Sequence, residues 1–296
     1  SIGKSIFVGN LLCSMKSRPI LIFDYKGDYR NLKYPNFGNK MGRYDAISDL
    51  VYIHHFGFKL QDFTSHFDWE MLGMTANGAQ ICSSRAKMVI YHKNNFEKFK
   101  SLIEEVQTYS RKSANAEAWL ATKQSILSKL NRVKSCFVEK AVDITDADLN
   151  LIRYKGVPFY VSDWKRFLLK HKHVCLNMNA ELNSAKAQLF AGKIMNEIEP
   201  LMKTYPITVV LEEAHKLVPN FIDEDVPYSL IKVLHYLKEM HKYGVKVVLI
   251  SQYPHQMHDE AMDEIKRFFF GKLQNIKGHN KLDEMFKLSE MLNYNY

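Results

Sequence analysis

Thr208-Val209-Val210-Leu211-Glu212-Glu213-Ala214-His215 is the stretch on which the reading turns: a β-branched apolar run that delivers two adjacent carboxylates. A run this short, bounded upstream by Pro206, reads as a strand buried on both faces. Its two acids then stand at the carboxyl end of that strand, the edge along which an open α/β sheet binds ligands. Similar short runs recur along the chain. Pro19 to Phe23 (PILIF) ends at Asp24, Lys170 to Met178 contains a second strand, Pro206 to Leu211 is the run above, and Val245 to Ser251 and Arg267 to Leu273 follow. Helical stretches alternate with them, at Ile6 to Met15, Ser184 to about Met202, and Ser229 to Tyr243, the last stopping at Gly244. Alternation of this kind predicts an α/β sheet.

Outward from that centre, Gly3-Lys4-Ser5 opens the first helix and matches the end of a phosphate-binding loop. Glycine lets the backbone approach phosphate oxygens, and the N–H groups at a helix start face the anion. The lysine reaches the terminal phosphates of ATP, and the serine hydroxyl binds Mg²⁺. Such a site needs an acidic partner at the end of a neighbouring strand. Glu212 can hold Mg²⁺ through its waters, and Glu213 can orient and deprotonate an attacking water. Gln252, directly after the strand Val245 to Ser251, lies on the same ligand edge and could sense the γ-phosphate. Taken singly, each has an ordinary reading: a surface turn, an acidic helix start, a polar loop residue. Together they favour a catalytic site.

The chain has 296 residues, 46% hydrophobic and 25% charged, which is a globular composition. Lys and Arg number 41 against 32 Asp and Glu, giving a net charge of +9. A basic balance of this size suits nucleic acid, anionic lipid or phosphate ligands. Cys13, Cys82, Cys136 and Cys175 are widely spaced with no metal-ligand pattern, which fits a reducing cytoplasmic compartment. No apolar run approaches the length of a membrane span, and no signal peptide opens the chain.

Asn95 to Phe137 lacks Gly and Pro. Its apolar residues, including Phe99, Leu102, Ile103, Val106, Leu120, Ile126, Leu127 and Leu130, fall at three- and four-residue spacings. Two or three amphipathic helices are expected there.

Four blocks carry a family likeness. Gly3-Lys4-Ser5 looks like the end of a Walker A motif. Leu21-Ile22-Phe23-Asp24-Tyr25-Lys26-Gly27-Asp28-Tyr29 resembles a strand ending in Asp-x-x-Gly-Glu-Tyr. Val209 to Pro219, with Glu212-Glu213-Ala214-His215, is similar to a Walker B block. Tyr243-Gly244 with the following strand to Ser251-Gln252-Tyr253-Pro254 looks like a sensor strand. In this order and spacing they resemble the HerA/FtsK division of P-loop ATPases, which are RecA-like ring motors that translocate DNA. HerA-type and conjugative type IV secretion ATPases look nearest.

The resemblance implies a RecA-like P-loop NTPase sheet with helices on both faces and an all-helical insertion over 93–150. It implies that residues 1–296 form one ATPase domain beginning inside the phosphate loop, whose first glycine would precede Ser1. ATP would lie over Gly3, Lys4 and Ser5, supported by Asp24 and Asp28. Mg²⁺ would be held by Ser5 and Glu212. Glu213 would activate water, and Gln252 would report the phosphate state. A homo-hexamer on DNA is implied, in the cytoplasm or at the cytoplasmic face of the membrane, with a membrane or nuclease partner engaged through regions outside this chain.

Three positions depart from the family pattern. Glu212 stands where Asp is usual, Asp28 where many relatives have Glu, and His241 where an Arg is frequent. Arg267, Arg30 and Arg85 are the substitutes for that Arg as a contact to a neighbouring subunit. A membrane-associated DNA-transport ATPase (conjugation, DNA import or viral packaging) and a nucleotide-binding scaffold with little hydrolysis are the alternatives. DNA backbone binding needs Lys and Arg. Two basic sets offer them: Lys165-Arg166 with Lys170-His171-Lys172-His173, and Lys123, Lys129, Arg132 and Lys134. For each set alone a solvated helix face is the preferred reading.

Overall fold

A computed structural model of the chain describes residues 2–33, 47–90, 95–106, 113–147, 158–178, 184–220 and 228–269. Among these residues, five parallel strands form the central sheet. In chain order they are β1 (Ile20–Asp24), β2 (Val51–Ile53), and, after the two short strands β3 (Val142–Asp143) and β4 (Phe159–Tyr160), β5 (His173–Asn177), β6 (Thr208–Glu212) and β7 (Lys246–Ile250). Their spatial order is β2-β5-β1-β6-β7. The chain therefore lays β2 and β5 on one side of β1, then crosses to build β6 and β7 on the other. That reversal puts the crevice of the sheet at the carboxyl ends of β1 and β6.

Every residue of β1 and β6 is buried, so both strands are covered on both faces. Alternate side chains enter different clusters, as the period of two requires. Ile20 and Ile22 of β1 join Val210, Cys175 and Ile250 on one face, under Val8, Leu12 and Cys13 of the first helix, α1 (Ile2–Ser14). Leu21 and Phe23 join Val209, Leu211, Val174 and Leu176 on the other face. Two helices cover it: one of 19 residues, Ser184–Met202, and one of 11, Tyr228–Lys238. The chain then turns through a 3₁₀ segment, Met240–Tyr243, and stops at Gly244, whose φ of 82° is left-handed. The α/β class and the strands of four of the five expected apolar runs are thus present.

The edges of the sheet correct the sequence reading. The fifth strand is β2, three residues long, which pairs with β5. A strand over Arg267 to Leu273 was expected; residues 267–269 are not strand, and 270–273 lie outside the described residues.

The expected insertion over 93–150 does carry helices. They are Phe96–Glu104 and Ser113–Val133. It is not all-helical, because β3 lies inside it and pairs in parallel with β4. Helical structure also begins earlier, at His66–Glu70 and Ala76–Ile90. An aromatic cluster fuses this region to the sheet. Phe190, on the 19-residue helix, packs 4.5 Å from Phe56 and 4.9 Å from Phe58, and Phe137 packs 4.8 Å from Phe96 and 4.9 Å from Phe63. Much of the aromatic content is thereby spent on core packing. A buried ion pair adds specificity: Lys193 meets Asp68 at 2.7 Å and Glu197 at 3.1 Å, and donates to the Asp62 carbonyl at 2.8 Å.

Both basic sets make internal contacts. Lys170 donates to the Ala147 carbonyl at 3.0 Å, Arg166 pairs with Asp146 at 2.7 Å, and His173 is buried. Lys123 donates to the Glu104 carbonyl, Lys129 to the Gly73 carbonyl, and Lys134 pairs with Glu97. Among the described residues no helix is long and apolar enough to cross a membrane.

Candidate active site

The site is built from the loop after β1, the end of β6, and the start of α1. His173, at the amino end of β5, has Nε2 2.9 Å from the Lys16 carbonyl and 3.1 Å from that of Arg18. The chain therefore leaves α1 at the amino ends of the strands, and α1 runs antiparallel to them. Thirteen helical residues span about 20 Å, against about 16 Å for a five-residue strand. The first turn of α1, with Gly3, Lys4 and Ser5, consequently reaches the carboxyl edge. The side chains of Lys4 and Ser5 lie outside the described residues.

Asp24 ends β1 fully buried and folds the next five residues around its carboxylate. Oδ1 accepts the N–H of Gly27 at 2.8 Å and of Asp28 at 3.1 Å, and Oδ2 accepts the N–H of Tyr29 at 3.0 Å. Gly27, at φ 78°, supplies the left-handed turn that lets the chain curl back. Asp24 Oδ2 also lies 3.4 Å from the Tyr52 hydroxyl. Its role is thus to shape the loop as well as to carry charge. Asp28 contributes its backbone to this cradle and is half-buried.

Glu212, fully buried, stands on the neighbouring strand. Its Oε2 accepts the Lys26 N–H at 3.1 Å, while Oε1 has no hydrogen-bond partner among the described residues. Burial first, then the Asp24 carboxylate beside it, push the Glu212 carboxyl up to about 8. Tyr29, whose buried hydroxyl is likewise without a partner, is pushed above its ordinary value by burial, then by Glu212 and Asp24. Glu212 therefore holds its proton in the folded state to a higher pH than in the unfolded chain. The stability linked to this group is fully present below the ordinary value of 4.5 and is lost as pH rises through about 8. Urea unfolding across that window is expected to show falling stability. Glu212→Gln, which cannot titrate, should flatten the slope; an unchanged slope would assign it to another group.

Glu213 begins a different geometry. It is left-handed, with φ 50° and ψ 46°, which costs a residue bearing a Cβ about 1 kcal/mol or more. That turn folds its carboxylate inward. Oε1 pairs with Lys26 Nζ, and Oε2 lies 3.5 Å from His215 Nδ1. His215 Nδ1 in turn lies 3.1 Å from Ser251 Oγ, which accepts the Tyr253 N–H at 3.0 Å. Strain of this kind persists where the surroundings over-determine it, and it clusters at functional sites.

Gln252 lies two residues beyond β7, half-exposed, on the same edge, since Ile250 is in register with Glu212. No hydrogen bond joins it to Glu212 or Glu213 among the described residues; Ser251 makes the link instead, through His215. Among the arginines, Arg30 follows the cradle loop, and its charge bears on Tyr52 and His54. Arg85 contacts Met88, and Arg267 is exposed. His241 is exposed in the 3₁₀ turn.

Sequence reasoning gave no role to Lys26, Tyr52 or Ser251. Lys26 stood inside a quoted motif, but only the fold joins it to residues 186 positions away. Asp24 is in register with Asn177 of β5, which adds a further polar group to the edge. Among the described residues no three His, Cys, Asp or Glu side chains converge as a metal-ligand set. Compared with models of known protein families and with curated proteins, the chain matches none.

Proposed function

We propose that the carboxyl edge of this sheet binds ATP with Mg²⁺ and hydrolyses it to move DNA, as a RecA-like motor of the HerA/FtsK type. Convergence supports the reading: the buried acid Glu212 and the folded-back Glu213 stand at one edge of a parallel sheet, and the length of α1 carries its first turn toward that edge. A helix start suits the phosphates. Lys4 would reach the terminal ones, and the Asp24 cradle would hold the loop that borders them.

Mg²⁺ takes one or two protein ligands and completes its shell with water and phosphate, so no three-residue set is required. The residues fit it. Glu212 Oε1 is buried with no hydrogen-bond partner among the described residues, and Glu212, on giving up its proton, and Ser5 would hold the ion. When bound, the ion offsets phosphate charge. Glu213 would accept the proton of the attacking water, and Gln252 would contact the γ-phosphate.

The DNA part rests on the family likeness and the +9 charge. A hexameric ring, cytoplasmic or at the cytoplasmic membrane face with a membrane or nuclease partner, belongs to the same reading. ATP turnover of the purified protein with and without duplex DNA tests it. Stimulation should fall steeply with salt, as expected where lysines and arginines meet phosphates. Salt-insensitive stimulation, or none, would remove DNA from the account. A nucleotide-binding scaffold with little hydrolysis is favoured by one observation, the ion pair that occupies Glu213. Tight ATP binding without turnover would identify it.

A further inference from the structure

We infer that Lys26 is a positioning residue that keeps Glu213 folded back, and that it releases the carboxylate when its ammonium takes the terminal phosphate of a nucleoside triphosphate instead. The inference rests on Glu213 being the base proposed above.

Three features of the loop argue for it. The backbone of Lys26 is fixed. Its N–H is held by Glu212 at 3.1 Å, and the N–H groups of Gly27, Asp28 and Tyr29 are held by Asp24 at 2.8 to 3.1 Å. Only the side chain is left to move, and at 38% exposure it has the room to do so. Its partner is the reverse: the Glu213 side chain is 4% exposed, and both its oxygens face cations or donors, Lys26 on one side and His215 on the other. In this arrangement Glu213 Oε1 is taken by an ammonium and is closed to a water.

The backbone of Glu213 itself is left-handed, at φ 50°. An inward carboxylate held against strain relaxes when its counter-charge leaves. A lysine ammonium is a compact point charge with three donors on a flexible stem, so it can exchange one anion for another. The phosphates are expected at this same edge, over the first turn of α1. A triphosphate entering there competes with Glu213 for the ammonium. Binding and release of the base are then one event, and the base stays covered while the site is empty of nucleotide.

The test compares ATP hydrolysis without DNA in wild type, Lys26→Met, Lys26→Ala, Lys26→Arg and Glu213→Gln, with thermal unfolding as the check on folding. Loss of the ammonium should raise KM by about fivefold, the weight of a modest ion pair, and leave kcat near the wild-type value, because bound triphosphate has already drawn the ammonium off Glu213 in the wild-type protein. Arginine should restore the low KM. A general loosening of the loop would instead lower kcat. If Glu213→Gln abolishes hydrolysis while Lys26→Met and Lys26→Ala lower kcat or leave both constants unchanged, the role of Lys26 is overturned and that of Glu213 stands. Undiminished hydrolysis in Glu213→Gln overturns both.

Discussion

Glu213→Gln is expected to keep ATP bound and to lower its hydrolysis by about 10²- to 10⁴-fold, the usual contribution of a positioned general base. The substitution changes little but chemistry. Glutamine has the same length and shape and can occupy the same pocket beside His215, but it cannot accept a proton. It also loses the ion pair to Lys26, so the lysine gains freedom to meet phosphate, and affinity should hold or improve. Nucleotide binding measured beside phosphate release separates the two effects. Loss of both would mean that Glu213 holds the fold or the ligand and is not the base.

The second large effect is on stability. Asp24→Ala is expected to destabilise the protein by about 3 kcal/mol, read as a lower urea midpoint. The carboxylate is fully buried and is the acceptor for three backbone N–H groups. Removing it leaves the buried Tyr29 donor without a partner, at about 1–3 kcal/mol, and the part-buried Gly27 and Asp28 donors to water at a smaller cost. Part is returned, because Glu212 loses a neighbouring carboxylate that pushes its own carboxyl up. Asp24→Asn keeps one side-chain oxygen as acceptor and should lose roughly half as much. An unchanged midpoint in the alanine variant would mean that the loop is held by other contacts.

What the sequence revealed follows from which interactions are local. Four strands were legible because each is a short apolar run between breakers, and burial on both faces demands nothing more specific. The acids Asp24, Glu212 and Glu213 were legible because each ends such a run. β2 was not: Val51-Tyr52-Ile53 is too short to carry a period, and its pairing to β5 defines it. Arg267 to Leu273 had the composition of a strand, yet its first three residues are not in one, since composition does not choose a partner. The helix Ala76–Ile90 went unread because its interior, Cys82-Ser83-Ser84-Arg85-Ala86, mixes small and polar residues with little apolar periodicity.

The candidate site divides in the same way. Its charges could be read from the chain, but their engagement could not. The left-handed turn at Glu213 has no signature, because glutamate is an uncommon choice there. Lys26 acquires its contacts only when a loop curls around Asp24 and returns to a strand far along the chain. The basic residues divide likewise. Lys170, Lys129 and Arg166 could be read as basic and solvated, but their contacts with carbonyls and a carboxylate of their own protein could not.

The reaction proposed for this edge is hydrolysis of ATP through Glu213. Its most direct test is phosphate release from ATP in Mg²⁺, measured on wild type and Glu213→Gln side by side. Turnover is expected in the first, and its loss in the second with nucleotide still bound. Equal rates in the two proteins, or bound ATP that wild type leaves intact, would contradict it.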